Sequence, residues 1–499
     1  MTAERVSDRG YALATAAACA IAIAHVCVWR ATGPLDDDAI LYRYGANLAR
    51  GLGLVFNPGE RVEGYTAPPL VFFHALVEFA RVDHVLASRA LGIASYVGLV
   101  LALSAAWRTA LPKSTVPWPA LLAATMPAIA FHANAGLGTL LTAALVAQWM
   151  LGELRRSVAE SAPQTSRRGH PAAADVALGF ACLLRPEMSL LMLAVVARLG
   201  WKHEWKRAAV TCAPPLAWLA FRLAYYGAWL PNTYSAKNLP LLEDLARGWA
   251  YLIDQALAVP FLPLGVILVV VAWVRAQSAP PLARELAVAL LLAVLGVVAV
   301  GGDYMPLGRM LIPSAPIFLL AMTLQIVRRF EGVVSLPAVL FVAVMGAMQV
   351  GQFQRAEREA SLDQLERRWQ AIGVALRERA APQTRVATQA IGFVGYESRL
   401  PILDMLGLVD PVIAHGAPHL EAEMKGHTKY DAEYVLSRRP DIVLLGDGLL
   451  DANGKVPVFA SQRELVAHAR FVEEYEQASI ALPGTYLLVY WKRRGTRDL

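Results

Sequence analysis

Residues 11–40, YALATAAACAIAIAHVCVWRATGPLDDDAI, join a long apolar run directly to three consecutive carboxylates, Asp36, Asp37 and Asp38. About 20 apolar residues suffice for a helix to cross the hydrocarbon of a bilayer. The run ends at Trp29-Arg30 without a small-residue cleavage site, so it reads as an uncleaved first span rather than a leader. Carboxylates at membrane depth are costly and usually mark function. Acidic residues also favour the start of any helix, through bonds to free N–H groups and the helix dipole. A helix capped by Asp36 to Asp38 is expected from about Ala39 to Arg50, ended by Gly51. A cap needs one carboxylate, whereas three in a row repel one another. Both capping and a catalytic or ligand role are therefore open, and they are compatible.

The apolar pattern repeats along the chain. Of 499 residues, 56% are hydrophobic and only 17% charged, which describes a polytopic membrane protein. Apolar segments fall at 11–31, 85–107, 118–132, 138–152, 175–186, 187–200, 208–224, 259–275, 285–301, 309–327 and 335–352. The shorter ones suit half-helices or one broken helix. Loops bearing Arg108/Lys113, Arg155/Arg156/Arg167/Arg168, Lys202/Lys206/Arg207, Arg275/Arg284 and Arg328/Arg329 are basic, as is the N-terminus with Arg5 and Arg9. The positive-inside rule makes these cytoplasmic and predicts about eleven transmembrane helices in the inner (cytoplasmic) membrane. Segment 32–66 becomes an outer loop, as do 225–258 and 301–309. Residues 67–82, apolar but interrupted by His74 and Glu78, read as a juxtamembrane or re-entrant helix.

Polarity rises after Gln352, which divides the chain into a membrane domain, 1–352, and an extracytoplasmic (periplasmic) domain, 353–499. Arg355–Arg379 has the charge pattern of a solvated amphipathic helix. Short apolar runs at Arg385–Ile391, Pro401–Leu408, Asp441–Leu445 and Thr485–Tyr490 read as strands, giving an α/β domain. No cysteine follows Cys212, so this domain needs no disulfide.

Several function classes drop out. The charge of +6 is spread over short loops rather than gathered in a stripe, so nucleic acid is not an expected partner. There is no phosphate-binding Gly-Lys-Ser/Thr loop and no nucleophile elbow. His25, His74, His84 and His132 lie singly near membrane borders, where packing is the default role; His415, His419 and His427 lack zinc spacing. A secondary transporter would place its charges near the midplane, often with internal repeats.

The stretch DDDAILYRYGANLARGLGLVFNPGERVEGYTAP, residues 36–68, resembles the first outer loop of a GT-C glycosyltransferase family. That family includes the mycobacterial terminal β-arabinofuranosyltransferase and proteobacterial relatives, some linked to flagellar motor control. Further matches follow in order at Leu184-Arg185-Pro186-Glu187, at 226–237 (YGAWLPNTYSAK), at 301–306 (GGDYMP) with Arg309, and at 392–396 and 404–408. At Gly136-Leu137-Gly138-Thr139 the relatives tend to have Gly-Leu-Glu-Thr, so this chain lacks that acid. The resemblance covers the whole chain, and the family's Asp pair aligns with Asp37 and Asp38.

The resemblance implies inverting transfer of a sugar, with arabinofuranose one candidate, from a polyprenyl-phosphate donor to a cell-envelope glycan or lipid-linked acceptor. An acceptor hydroxyl is a poor nucleophile, so a carboxylate is needed to take its proton, Asp37 first and Asp38 second. The leaving phosphate needs positive charge rather than a general acid. Lys237, Arg309 and Arg185 are the expected donor-phosphate contacts, and Asp36, Glu63, Tyr65, Asn232 and Asp303 the expected substrate contacts. Each has a structural alternative: Arg185 paired with Glu187, Arg309 with Asp303, Lys237 and Arg222 snorkelling to headgroups, and Glu63, Tyr65 and Asn232 packing the loops. The acidic cluster is chemically able to bind Mg2+ or Ca2+, which such donors do not require, so the metal stays open. The rival class is a non-catalytic envelope or flagellar-motor-associated scaffold with the same fold.

Overall fold

The computed structural model describes residues 3–28, 34–160, 172–258, 281–303, 305, 307–329, 354, 363–417, 426–445, 460–482 and 487–499. These residues are mostly helical, with one small C-terminal sheet. They form two compact units. The first comprises Met1–Thr32, Ser88–Leu219 and Leu241–Ala360, and the second Gly33–Ala87, Ala220–Pro240 and Ser361–Leu499.

Among the described residues, Asp8–Cys27 and His84–Ala110 are long and apolar enough to cross a membrane. At 1.5 Å per residue, the latter's 27 residues reach about 40 Å, more than the ~30 Å of hydrocarbon. Pro127–Asn134 and Thr139–Glu160 form a further apolar pair bent by 119°. Their joint is the Gly136-Leu137-Gly138 stretch, all three residues at positive φ. Glycine tolerates that region at no steric cost, and Leu137 adopts it between two glycines. A second break follows Leu184. Arg185 precedes Pro186 and is forced into extended backbone (φ −139°, ψ 105°), which ends Ala173–Leu184 before Ser189–Trp201 resumes. Expected segments 259–275 and 335–352 lie outside the described residues, as do Arg167, Arg168 and Arg275. In the first unit, small residues let backbones approach: a Cβ on Gly92 would sit 1.8 Å from Ala133 O, and one on Gly296 2.0 Å from Glu187 O.

In the second unit, helix Asp36–Ala49 packs on helix Pro68–Phe79. Gly45 makes this possible, since a Cβ there would lie 2.7 Å from the His74 carbonyl carbon. Pro68–Phe79 has 12 residues, about 18 Å, which is short of a span. The C-terminal sheet comprises β1 (Val386–Thr388), β2 (Ile402–Asp404), β3 (Ile442–Val443), β4 (Tyr475–Ala481) and β5 (Leu487–Arg493). Its order is β2-β1-β3-β5-β4, parallel across the first three and antiparallel at β5 and β4. Leu403, Ile413, Val435, Leu436, Val443 and Phe471 fill the core on one side. β4, YEQASIA, was not expected from the sequence, because its polar residues alternate without an apolar run. The expected amphipathic helix is present over Asp363–Arg379, and residues 355–362 lie outside the described residues.

Candidate active site

The three carboxylates occupy the first turn of helix Asp36–Ala49, rather than preceding it as a cap. The N-cap is Leu35, whose side chain makes no cap hydrogen bond. This corrects the expected start at Ala39. A left-handed Gly51 (φ +78°) follows the helix as expected. One turn of helix sends three adjacent side chains in three directions, about 100° apart, and that separates their roles.

Asp36 reaches the start of another helix, Ile391–Ser398. Its oxygens accept from Gly392 N–H at 3.0 Å and Phe393 N–H at 2.7 Å. Asp38 is buried and accepts from Tyr42 Oη at 2.6 Å. Asp37 is half-buried and makes no side-chain hydrogen bond or ion pair among the described residues.

Tyr42 stands against two imidazoles that sequence reasoning assigned to solitary packing. Its ring centroid lies 4.5 Å from that of His74 and 5.2 Å from that of His84. The two histidines are a pair, with Nδ1 to Nδ1 at 3.0 Å. His84 Nε2 meets Glu78 Oε2 at 3.0 Å, and Glu78 meets Arg50 at 2.7 Å. A carboxylate accepts, so His84 Nε2 carries a proton; in the neutral ring Nδ1 is then the acceptor, and His74 Nδ1 donates. The only sequence signal was the pair of polar interruptions, His74 and Glu78, in an otherwise apolar segment.

Much of the motif loop serves the fold. Buried Arg43 donates to the carbonyls of Phe56 (2.7 Å), Gly395 (2.6 Å) and Leu400 (2.7 Å) and to Asn57 Oδ1 (3.1 Å). Asn57 bonds both backbone groups of Ile402, so it pairs the edge strand β2 as a neighbouring strand would. Glu63 is buried in an ion pair with Arg222, which replaces the expected snorkelling of that arginine. Tyr65 Oη lies 3.0 Å from Tyr226 Oη. Asn232 donates to the carbonyls of Gly407 (2.8 Å) and Leu408 (3.0 Å). Lys237 is half-buried beside Gly426. Burial pushes the Asp404 carboxyl up to about 6, although Leu406 and Val409 N–H groups each donate to it at 2.8 Å.

In the first unit, the two breaks bring buried charges together. Arg185 donates to Thr139 Oγ1 and faces Glu187 at 3.8 Å. Thr139 is the residue after the position where relatives carry an acid. Arg309 pairs with Asp303, and its charge acts on Arg185. Met310 N–H donates to Tyr251 Oη at 3.3 Å beside this group. Arg185 Nε is buried with no acceptor among the described residues, a donor that an incoming oxyanion would satisfy. Tyr304 and Pro306 lie outside the described residues. Among the described residues no three His, Cys, Asp or Glu side chains converge as metal ligands.

The fold and these side chains define a largely helical protein with membrane-spanning-length helices, grouped buried arginines and an acidic cluster tied to an α/β domain. Residues 357–491 match a family described as a domain of unknown function, DUF8728. The chain is similar to the terminal beta-(1->2)-arabinofuranosyltransferase of Mycobacterium tuberculosis, at 29% identity over 268 residues, 48% of this chain and 41% of that protein. It is similar to the Corynebacterium glutamicum protein of the same name, at 28% identity over 247 residues, 44% of this chain and 35% of that protein. The matched region thus spans about two fifths of the first relative and a third of the second.

Proposed function

We propose that this protein is a membrane glycosyltransferase of GT-C type that moves a sugar from a polyprenyl-phosphate donor to a cell-envelope acceptor. Two relatives named arabinofuranosyltransferase support the transferase class. The observation that carries the catalytic reading is Asp37, the one carboxylate of the cluster without a hydrogen-bond or ion-pair partner among the described residues. In this reading Asp37 takes the proton of an acceptor hydroxyl as its oxygen bonds to the anomeric carbon, and the bond to the donor phosphate breaks on the opposite face. The sugar is inverted, and the phosphate leaves with the electron pair. Asp38, fixed by Tyr42, holds negative charge beside the base and is the second candidate for the role. Arg185, Arg309 and Lys237 are assigned to the donor phosphate. Asp303 holds Arg309 in place, while Asp36, Glu63, Tyr65 and Asn232 shape the acceptor loop. About eleven crossings, with residues 353–499 on the outer face, complete the proposal.

The test is complementation of a deletion strain with Asp37→Asn and Asp38→Asn, with envelope glycans and membrane protein level measured together. Loss of the glycan change at normal protein level is expected for Asp37→Asn. Full complementation by both variants would overturn the enzyme in favour of the scaffold.

A further inference from the structure

Helix Leu241–Ala258, in the first unit, is turned inside out relative to a helix that faces water. Asp244, Gly248, Tyr251 and Gln255 are buried, and their spacing of four, three and four residues puts them on one face. Leu242, Trp249 and Ile253 lie opposite and are 81%, 54% and 65% exposed. A helix in water does the reverse and buries its apolar stripe. This pattern suits a helix with lipid on one side and a polar interior on the other, and polar groups held inward at a membrane usually mark a substrate path. No space separates the stripe from its neighbours. A Cβ on Gly248 would lie 2.4 Å from Val298 O, and one on Gly302 2.5 Å from Tyr251 Cβ. The stripe is therefore held against the chain that leads into Asp303 and Arg309.

Two groups on this face hold hydrogen-bonding capacity in reserve. Tyr251 Oη accepts from Met310 N–H, but the hydroxyl proton of this buried residue has no acceptor among the described residues. A phenol is both donor and acceptor, and it stays protonated at neutral pH. Gln255, one turn on, gives its amide Nε2–H to Asp254 Oδ2 at 2.8 Å. A carboxylate only accepts, so this bond fixes the orientation of the amide. The buried Oε1 is left without a donor among the described residues. Arg185 lies within electrostatic reach of Tyr251, and its Nε is a third buried group without a partner among the described residues. Each such group costs free energy until its complement arrives. Residues four apart on a helix stand about 6 Å apart at Cβ. Two donors, with one acceptor about that far along the helix, match a molecule whose oxyanion and hydroxyl are a few bonds apart. That is the pattern of a glycosyl phosphate.

We propose that this face is the part of the donor site that reads the sugar: Tyr251 Oη–H donates to a phosphate oxygen beside Arg185, and Gln255 Oε1 accepts from a hydroxyl of the sugar. On the transferase reading, which this assignment requires, the two residues distinguish a glycosylated lipid phosphate from a bare one. The bare phosphate left after transfer keeps the Tyr251 bond and loses the Gln255 bond, so it binds more weakly than the donor and makes way for it.

The experiment is calorimetric titration of the purified full-length protein, in neutral detergent, with farnesyl phosphate and with its arabinofuranosyl and glucopyranosyl esters. Wild type should bind farnesyl phosphate and should bind at least one ester more tightly. Tyr251→Phe should weaken all three on the order of tenfold, because a hydrogen bond to a charged group is lost. Gln255→Leu should remove the advantage of the ester and leave farnesyl phosphate unchanged, a split that a merely structural defect would not produce. Wild-type protein that binds none of the three overturns the donor reading itself. Farnesyl phosphate binding that is the same in Tyr251→Phe, esters with no advantage in wild type, or an advantage that survives in Gln255→Leu would overturn this assignment and leave the donor reading intact. If either variant fails to fold, photocrosslinking of wild type with a farnesyl phosphate bearing a diazirine beside the phosphate decides. Label is expected within residues 251–255 or 185–187, and label confined elsewhere overturns the site.

Discussion

Replacing Asp36 by alanine should destabilise the protein, whereas replacing Asp37 by asparagine should not. Asp36 is the acceptor for two backbone N–H groups, Gly392 and Phe393, at the start of helix Ile391–Ser398. Those groups have no partner within their own helix, and loss of a capping acceptor costs about 0.5–2 kcal/mol. Leaving two such donors without their acceptor raises the figure, but the site is half-buried and water can reach part of it. A loss of about 2 kcal/mol follows, or a fall in Tm of about 4–8 °C at 2–4 °C per kcal/mol for a unit of this size. Asp36→Asn keeps one acceptor oxygen and should lose about half as much. Asp37 has no such bond to lose, so its asparagine variant should remain within about 0.5 kcal/mol of wild type. The measurement is thermal melting of the purified protein, read alongside resistance of residues 363–499 to protease. If Asp36→Ala melts with the wild type, or Asp37→Asn falls as far as Asp36→Ala, the division of labour among the three carboxylates is wrong.

Arg43→Lys should cost about 3 kcal/mol, because a single ammonium cannot reach three carbonyls and an amide that a planar fork serves together; denaturant midpoints check this. Asp404 has a folded pKa of about 6 against a reference of 3.8, so the folded state binds its proton more tightly than the unfolded state. Stability should therefore fall as pH rises from about 4 to about 6, by roughly 3 kcal/mol at most, and then level off; Asp404→Asn should flatten that slope in a Tm-versus-pH series. His84→Phe takes the imidazole partner from His74 and leaves Glu78 with Arg50 alone, and should cost about 2 kcal/mol, whereas the double variant with His74→Phe should lose less than the sum of the singles. Equal and additive losses in that cycle would mean that the imidazoles do not share a proton.

What the sequence determined is what depends on neighbours along the chain. Apolar length, the extended residue imposed on Arg185 by Pro186 and the left-handed Gly51 are local consequences of residue type. The three acids at the head of helix Asp36–Ala49 were legible for the same reason, to within one turn. Partners far apart in sequence were not legible, because hydrophobic pattern carries no information about which polar groups meet across hundreds of residues. Asp36 finds its donors 356 and 357 residues away, Arg43 finds Leu400, and Glu63 takes Arg222 out of the lipid-facing role its position suggested. His74 and His84 read as two solitary packing residues until a short helix and the turn after it set their Nδ1 atoms 3.0 Å apart. Three identical carboxylates share one sequence context. Only tertiary structure, by supplying a helix start to the first and a tyrosine to the third, leaves the middle one without a hydrogen-bond or ion-pair partner among the described residues.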